Sequence, residues 1–190
     1  AWKMAGVTAD DITEIEAHGS ATELGDQNEL EGLRIVLQDR KKGTDVLLSS
    51  VKSNIGHTAQ AAGITGLVKV LVGFSTNTAY PIANFQAPKK SIDYAAAHLK
   101  PLGALHHFDP AEKRVAGINS YGLNALNVHV VMEQYRNPET TAEALDPLNH
   151  VLKLSARTES AFAAYVQALA AALEQENENL NDLIYTLNTG

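Results

Sequence analysis

Cysteine is absent from the 190-residue chain. That excludes disulfides, thiolate metal sites and a cysteine nucleophile supplied by these residues. A long hydrophobic run is also missing. The apolar stretch 64–74 is interrupted by Lys69 and is too short to cross a bilayer, and no signal peptide is recognisable. An excess of basic charge is lacking as well. Against 15 Lys and Arg stand 22 Asp and Glu, a formal net charge of −7, which argues against nucleic acid or an anionic membrane as the main partner. These absences fit a soluble cytoplasmic protein. The first residues, Ala1-Trp2-Lys3, carry no initiator methionine, so a fragment of a longer protein is expected.

What is present is an ordinary globular composition, 45% apolar, in a chain long enough for one sizeable core or a core plus an appendage. Residues 1–10 read as a helix end closing on Gly6. Residues 12–17 alternate apolar and polar, as a half-buried strand does. The strand runs into a small-residue turn, His18-Gly19-Ser20-Ala21-Thr22. An amphipathic helix is predicted over 24–40, with Leu30, Leu33, Val36 and Leu37 on one face and Asp26 and Glu29 near its positive end. The apolar strand Val46-Leu47-Leu48 then leads into a polar turn with Lys52, Asn54 and His57. A helix rich in small residues follows, placing its positive end beside His57 and favouring neutral imidazole there. Strand, histidine turn and helix thus occur twice. His18 and His57 are 39 positions apart, enough for a helix and a return strand that bring both to one sheet edge.

Residues 77–110, punctuated by Pro81, Pro88, Pro101 and Pro110, read as a long surface loop. His98, His106 and His107 fall in it and are expected at the surface, because adjacent loop histidines seldom converge on one ion. A short strand at 115–118 precedes Asn119-Ser120-Tyr121-Gly122, and 128–132 reads as a buried strand holding His129 as a structural residue. Residues 136–150 look like a linker. A new strand is expected at 151–155, then an alanine-rich helix to 173 capped by Ser155 or Thr158, and a last short helix over 181–189.

Three stretches carry a resemblance. Glu16-Ala17-His18-Gly19-Ser20-Ala21-Thr22 with Leu24-Gly25-Asp26 resembles the EAHGTGT…LGD element of β-ketoacyl synthases. Lys52-Ser53-Asn54-Ile55-Gly56-His57-Thr58 resembles their KSNIGHT element. Asn119-Ser120-Tyr121-Gly122 through Asn127-Val128-His129-Val130-Val131 is similar to their SSFGFGGTNAHVV element. The chain looks like the C-terminal half of a ketosynthase of a modular type I polyketide synthase (1–135). A linker (136–150) and the start of the post-ketosynthase adaptor (151–190) would follow.

The resemblance implies an α/β fold of the thiolase-like, layered α-β-α-β-α kind, dimeric, with a small α/β segment after it. It also implies decarboxylative Claisen condensation of an acyl thioester with a malonyl-carrier protein. His18 and His57 take the catalytic histidine positions and Lys52 that of the site-organising lysine. Ser20, Thr22, Asn54, Tyr121, Gly122 and Leu123 take positions expected to line the substrate and phosphopantetheine path. Asn54 is expected to orient His57. No metal and no tightly bound cofactor are expected; the phosphopantetheine arrives on an acyl carrier protein. The implied partners are the N-terminal half of the same domain, the carrier protein and a second copy. The nucleophilic cysteine would lie in that N-terminal half, so this stretch alone is expected to be inactive.

Two departures stand out. Ala21 replaces a glycine where the backbone is expected to need positive φ or close approach. Leu123-Asn124-Ala125-Leu126 replaces a glycine-rich loop that normally gates the pocket. The altered loop keeps open a non-elongating, gating or scaffold role, a fatty-acid-type condensing enzyme, or another acyltransferase or hydrolase on the same fold.

Overall fold

The structure is a computed structural model that describes residues 1–122, 126–136, 151–174 and 180–189. The chain forms two compact units, Ala1–Tyr135 and Arg136–Gly190.

The first unit is built on a five-stranded sheet. Its strands are β1 (Glu14–Glu16), β2 (Val46–Ser49), β4 (Leu99–Pro101), β6 (Val115–Tyr121) and β7 (Asn127–Glu133). They lie in the order β4-β2-β1-β6-β7, with β7 antiparallel and the other pairings parallel. Two short strands outside it, β3 (Thr78–Ala79) and β5 (His106–His107), pair antiparallel with each other. Helix α1 (Trp2–Ala5) closes on Gly6 in the left-handed conformation. Helix α2 (Glu23–Leu37) packs Leu30, Leu33 and Leu37 against Ile15, Val46, Leu48 and Val115 on one face of the sheet. Helix α4 (Ala62–Ser75) packs Val70 and Phe74 against Ala116 and Ile118 on the other. Side chains alternate across a strand, so each strand feeds both layers.

The structure corrects several expectations. Residues 12–17 are not half-exposed: Glu14 and Glu16 are buried. Each faces a cation on the α4 side, Arg114 at 2.5 Å from Glu14 and Lys69 at 2.7 Å from Glu16. Arg114 is itself stacked between the Phe74 and Phe108 rings, 4.9 and 4.0 Å from their centroids. Burial pushes the Glu14 carboxyl up, and Arg114 beside it pulls it back. Helix α2 stops at Leu37 rather than 40, because Arg40 turns inward to bond the carbonyls of Ala9, Ile12 and Thr44. Residues 77–110 are not simply a loop. They supply β4, which pairs with β2 inside the main sheet, and the β3–β5 ribbon. His106 and His107 are exposed on that ribbon, and no cluster of potential metal ligands occurs among the described residues. Strand β7 is only partly buried, with Val128 53% exposed, because it is the last strand of the sheet.

In the second unit, α5 (Glu159–Leu173) is capped by Thr158, whose Oγ1 accepts the Ala161 N–H at 3.2 Å. Helix α6 spans Leu180–Thr189. The strand expected at 151–155 does not form. The Asn188 side chain bonds both Val151 O and the Lys153 N–H, satisfying those backbone groups without a ladder. The linker expected at 136–150 lies outside the described residues beyond Arg136. No described helix is long and apolar enough to cross a membrane.

Candidate functional site

The C-terminal end of β1 delivers His18, and the segment after β2 delivers Lys52 and His57. Because β1 and β2 are parallel neighbours, both turns leave the sheet at one edge, where open α/β folds hold their sites. The imidazoles of His18 and His57 stand 5.5 Å apart, centroid to centroid, at 81°. Tyr121, at the end of β6, packs its ring 5.2 Å from His18.

The two rings are oriented by backbone donors. His18 Nδ1 accepts the Tyr121 N–H at 3.2 Å, and His57 Nδ1 accepts the Ala59 N–H at 3.1 Å. With Nδ1 accepting, a neutral imidazole carries its proton on Nε2. Each ring therefore presents one Nε2–H donor. Burial pushes the His18 pKa below the ordinary histidine value, and the charges of Lys52 and His57 add to that. Burial also pushes Tyr121 up to about 12, with Glu29 adding to the shift.

The surroundings of His57 differ from expectation. Its turn contains a one-turn helix, α3 (Lys52–Ile55), and a 3₁₀ turn (Ala59–Ala61), so α4 begins only at Ala62. The positive end of α4 is therefore not directly behind His57. The one local contact that fixes the ring is the Ala59 amide.

Lys52 feels the charges of two buried acids, Glu16 and Glu29. Burial pushes its pKa down while the charges of Glu16 and Glu29 oppose that. Together with His57, Ser20, Gly19, Phe85 and Tyr94 it lines a cleft of about 490 Å³. Lys89 and Asp26, joined at 2.7 Å, also line it.

Other expected site residues fall differently. The Ser20 and Thr22 hydroxyls bond each other at 2.9 Å, and Thr22 Oγ1 accepts the Gly25 N–H as the N-cap of α2. Their first task in the structure is turn and cap chemistry. Asn54 is exposed, and its side-chain oxygen accepts from Ser53 Oγ, not from His57. Gly122 donates its N–H to Leu126 O at 2.9 Å. Leu123, Asn124 and Ala125 lie outside the described residues. Ala21 adopts φ 59, the left-handed region that a glycine would occupy freely. It is held there by its N–H bond to Asp26 Oδ1 at 3.1 Å.

Glu29 was missed as part of the site. It is buried, and its Oε1 accepts the His18 N–H and Asn119 Nδ2, both at 2.8 Å. Its Oε2 accepts the Gly19 N–H at 2.9 Å. One carboxylate thus clamps the His18 turn to β6. Asn119 continues the chain to His129 Nδ1 at 2.5 Å, and His129 Nε2 accepts from Trp2 Nε1 at 2.8 Å. A signal for Glu29 was available: it occupies the inward stripe of α2 with Leu33 and Leu37, at spacings of four, where an apolar residue is the rule.

Comparison with known proteins gives the following. The sequence matches the family described as "Beta-ketoacyl synthase, C-terminal domain" over residues 1–86. It matches "Ketoacyl-synthetase C-terminal extension" over residues 88–189. The boundary between the two matches falls inside the first compact unit. Polyketide synthase PksL of Bacillus subtilis is 35% identical over 191 residues, covering 97% of this chain and 4% of that protein. Erythronolide synthase EryA3 of Saccharopolyspora erythraea is 34% identical over 200 residues, covering 100% of this chain and 6% of that protein. The ketosynthase from module 6 of the bacillaene synthase of Bacillus subtilis 168 superposes with a TM-score of 0.67 at 32% identity, covering 99% of this chain and 32% of that one. The oxazolomycin ketosynthase domain of Streptomyces albus JA3453 gives 0.70 at 29% identity, covering 100% and 34%. The fold is the thiolase-like α/β arrangement of these ketosynthases, and the chain spans about a third of the solved structures it matches.

Proposed function

The chain belongs to the β-ketoacyl synthase family, as its C-terminal domain with the C-terminal extension, and from that premise we propose that it supplies the histidine half of a condensing active site. The observation that carries the reading is the pair of imidazoles 5.5 Å apart, each with Nδ1 engaged by a backbone amide. Two Nε2–H donors on neighbouring rings suit an oxygen on which negative charge develops.

In the reaction, the carbon–carbon bond to the malonyl carboxylate breaks and carbon dioxide leaves. The bonding pair passes to the thioester as an enolate whose charge rests on its oxygen. His18 and His57 stabilise that oxygen; donors strengthened only as charge appears lower the barrier without tightening ground-state binding. The enolate carbon then attacks an acyl thioester on a cysteine of the N-terminal half, and the cysteine sulfur leaves with its electron pair. Lys52 organises the turn that carries His57. Ser20, Thr22, Tyr121 and Gly122 flank the path of a phosphopantetheine arm brought by an acyl carrier protein.

The N-terminal half of the same domain is the partner this reading requires. Helix α4 supports it: Ile64, Val68, Leu71 and Val72 form one stripe, each 46–56% exposed. An apolar stripe of that kind marks an interface, and the solved relatives are about three times as long as this chain. In this reading the complete domain is a cytoplasmic homodimer.

Carbon dioxide release from a malonyl-carrier protein by the complete domain tests the reading, alongside mass analysis of cysteine acylation. His18→Ala and His57→Ala should keep acyl loading and lower carbon dioxide release about 100-fold or more. If both variants decarboxylate at the parental rate, the assignment is wrong. If the parent loads acyl chains and releases no carbon dioxide, the domain gates or transfers chains instead of elongating them.

A further inference from the structure

On the α4 side of the sheet, Glu16 is only 3% exposed. Its Oε2 accepts from Lys69 Nζ at 2.7 Å and Ser49 Oγ at 3.3 Å, and its Oε1 accepts the Val51 N–H at 2.5 Å. Lys69 Nζ also reaches Ser49 Oγ at 2.6 Å. These bonds join three pieces of chain that each carry a member of the candidate site. Glu16 ends β1, two residues before His18. Val51 immediately precedes Lys52 and opens α3. Lys69 lies on α4, the helix entered after the His57 turn.

The contact is built closely. Gly66, less than one turn before Lys69, lets α4 lie flat on the carboxylate: a Cβ there would stand 3.1 Å from Glu16 Cγ. A buried carboxylate is costly unless its lone pairs are satisfied, and here two side-chain donors and a backbone amide do that. Stability alone would be served as well by an apolar pair in place of Glu16 and Lys69. What an apolar pair could not do is hold the Val51 amide or supply a negative charge that Lys52 feels.

We propose that Glu16 is a positioning residue of the condensing site, fixing the β2–α3 junction that presents Lys52 and His57 and supplying a buried counter-charge to the Lys52 ammonium. The inference rests on the condensing reading for its activity arm, and for the rest on the Glu16–Val51 bond, which sets the carboxylate against the residue next to Lys52. The charged groups around it are few. Lys52 feels Glu16 and Glu29, and its own charge acts on His18. Glu16 meets Lys69, and its charge is felt by Glu14, which is paired with Arg114.

The experiment uses the complete domain with Glu16→Gln, and reads two quantities. The first is the rate at which Lys52 is acetylated by a small anhydride as a function of pH, followed on its peptide by mass spectrometry. It needs no catalytic activity. Removing the counter-charge should free the Lys52 amine at lower pH and raise labelling at pH 8 by roughly threefold or more. The second is carbon dioxide release, where kcat should fall about 10- to 100-fold through misplacement of the turn, with KM for the malonyl carrier within about twofold. A folded Glu16→Gln domain whose labelling and kcat both match the parent, whatever its melting temperature, overturns the proposal.

Gly66→Ala serves where Glu16→Gln does not fold. It keeps every charge and presses on Glu16 Cγ, so a several-fold loss of kcat is expected and an unchanged kcat overturns the proposal. A parent domain that releases no carbon dioxide defeats the condensing reading, and Lys52 labelling then decides the positioning claim by itself.

Discussion

The His18 turn is fastened from two directions and buried. Glu29 on α2 accepts its backbone N–H, the Tyr121 N–H on β6 donates to its Nδ1, and the residue is only 9% exposed. The His57 turn, reached by the same order of strand, turn and helix, is exposed, and its ring is set by an amide two residues away. One histidine is held by tertiary structure and the other by local geometry. A donor of the first kind has its orientation prepaid by the fold. A donor of the second kind depends on the junction beneath it, at Val51 and Lys52, and on whatever covers it in the complete domain.

The sharpest way to break that contrast is Glu29→Ala. It leaves the His18 and Gly19 amides and Asn119 Nδ2 without their acceptor. With about 1–3 kcal/mol lost per orphaned buried donor, the complete domain should lose roughly 3 kcal/mol or more in chemical denaturation. His57→Ala should change stability by less than about 0.5 kcal/mol. Equal losses for the two variants would erase the distinction.

Gly19→Ala comes next. Gly19 has φ 53, and a Cβ would lie 2.8 Å from Ser50 Oγ. A loss of about 1–2 kcal/mol is expected from the strained backbone and the displaced serine. Denaturation midpoints would show it, and an unchanged midpoint would mean that the turn is looser than its hydrogen bonds imply.

The pH dependence is smaller. His18 has a folded pKa below its ordinary value of 6.5, chiefly through burial. The unfolded chain then binds more protons between the two values, so stability rises with pH through that window. The contribution is complete above about pH 6.5 and is lost as pH falls through the folded value. His129, lowered mainly by burial, adds in the same sense. His18→Asn should flatten the stability curve between about pH 5 and 7. A curve as steep as the parent's would contradict the effect of burial on His18.

The smallest effect runs the other way. Ala21 holds φ 59, so Ala21→Gly should stabilise by about 0.5–1 kcal/mol by removing the left-handed penalty, offset in part by unfolded-state entropy. A destabilised variant would show that the Asp26 bond already absorbs the strain.

Much of the site's frame was legible in the chain because it is local. Alternation marked β1, the Leu30–Leu33–Leu37 spacing marked α2, and the two histidine turns followed strands whose parallel pairing brings them together. What was not legible is non-local. Glu14 and Glu16 read as solvent-facing because their counter-ions, Arg114 and Lys69, lie 100 and 53 positions away. Strand β4 escaped notice because three residues beside a proline carry no period. The segment at 151–155 had strand composition but no strand to pair with among the described residues, and the asparagine that satisfies it lies 35 and 37 positions on. The kinked entry to α4 was hidden because Ala59 turns the chain with φ 49, a conformation alanine rarely marks.

Arg114, stacked between two phenyl rings, and its partner Glu14 also constrain how this sequence can drift. Losing either partner alone strands the other charge in the interior, a step on the order of 3–5 kcal/mol that few marginally stable domains survive. Exchange for an apolar pair, by contrast, can be nearly neutral. The valley therefore lies between two acceptable states, and passage across it requires the two codons to change almost together or a temporary surplus of stability elsewhere.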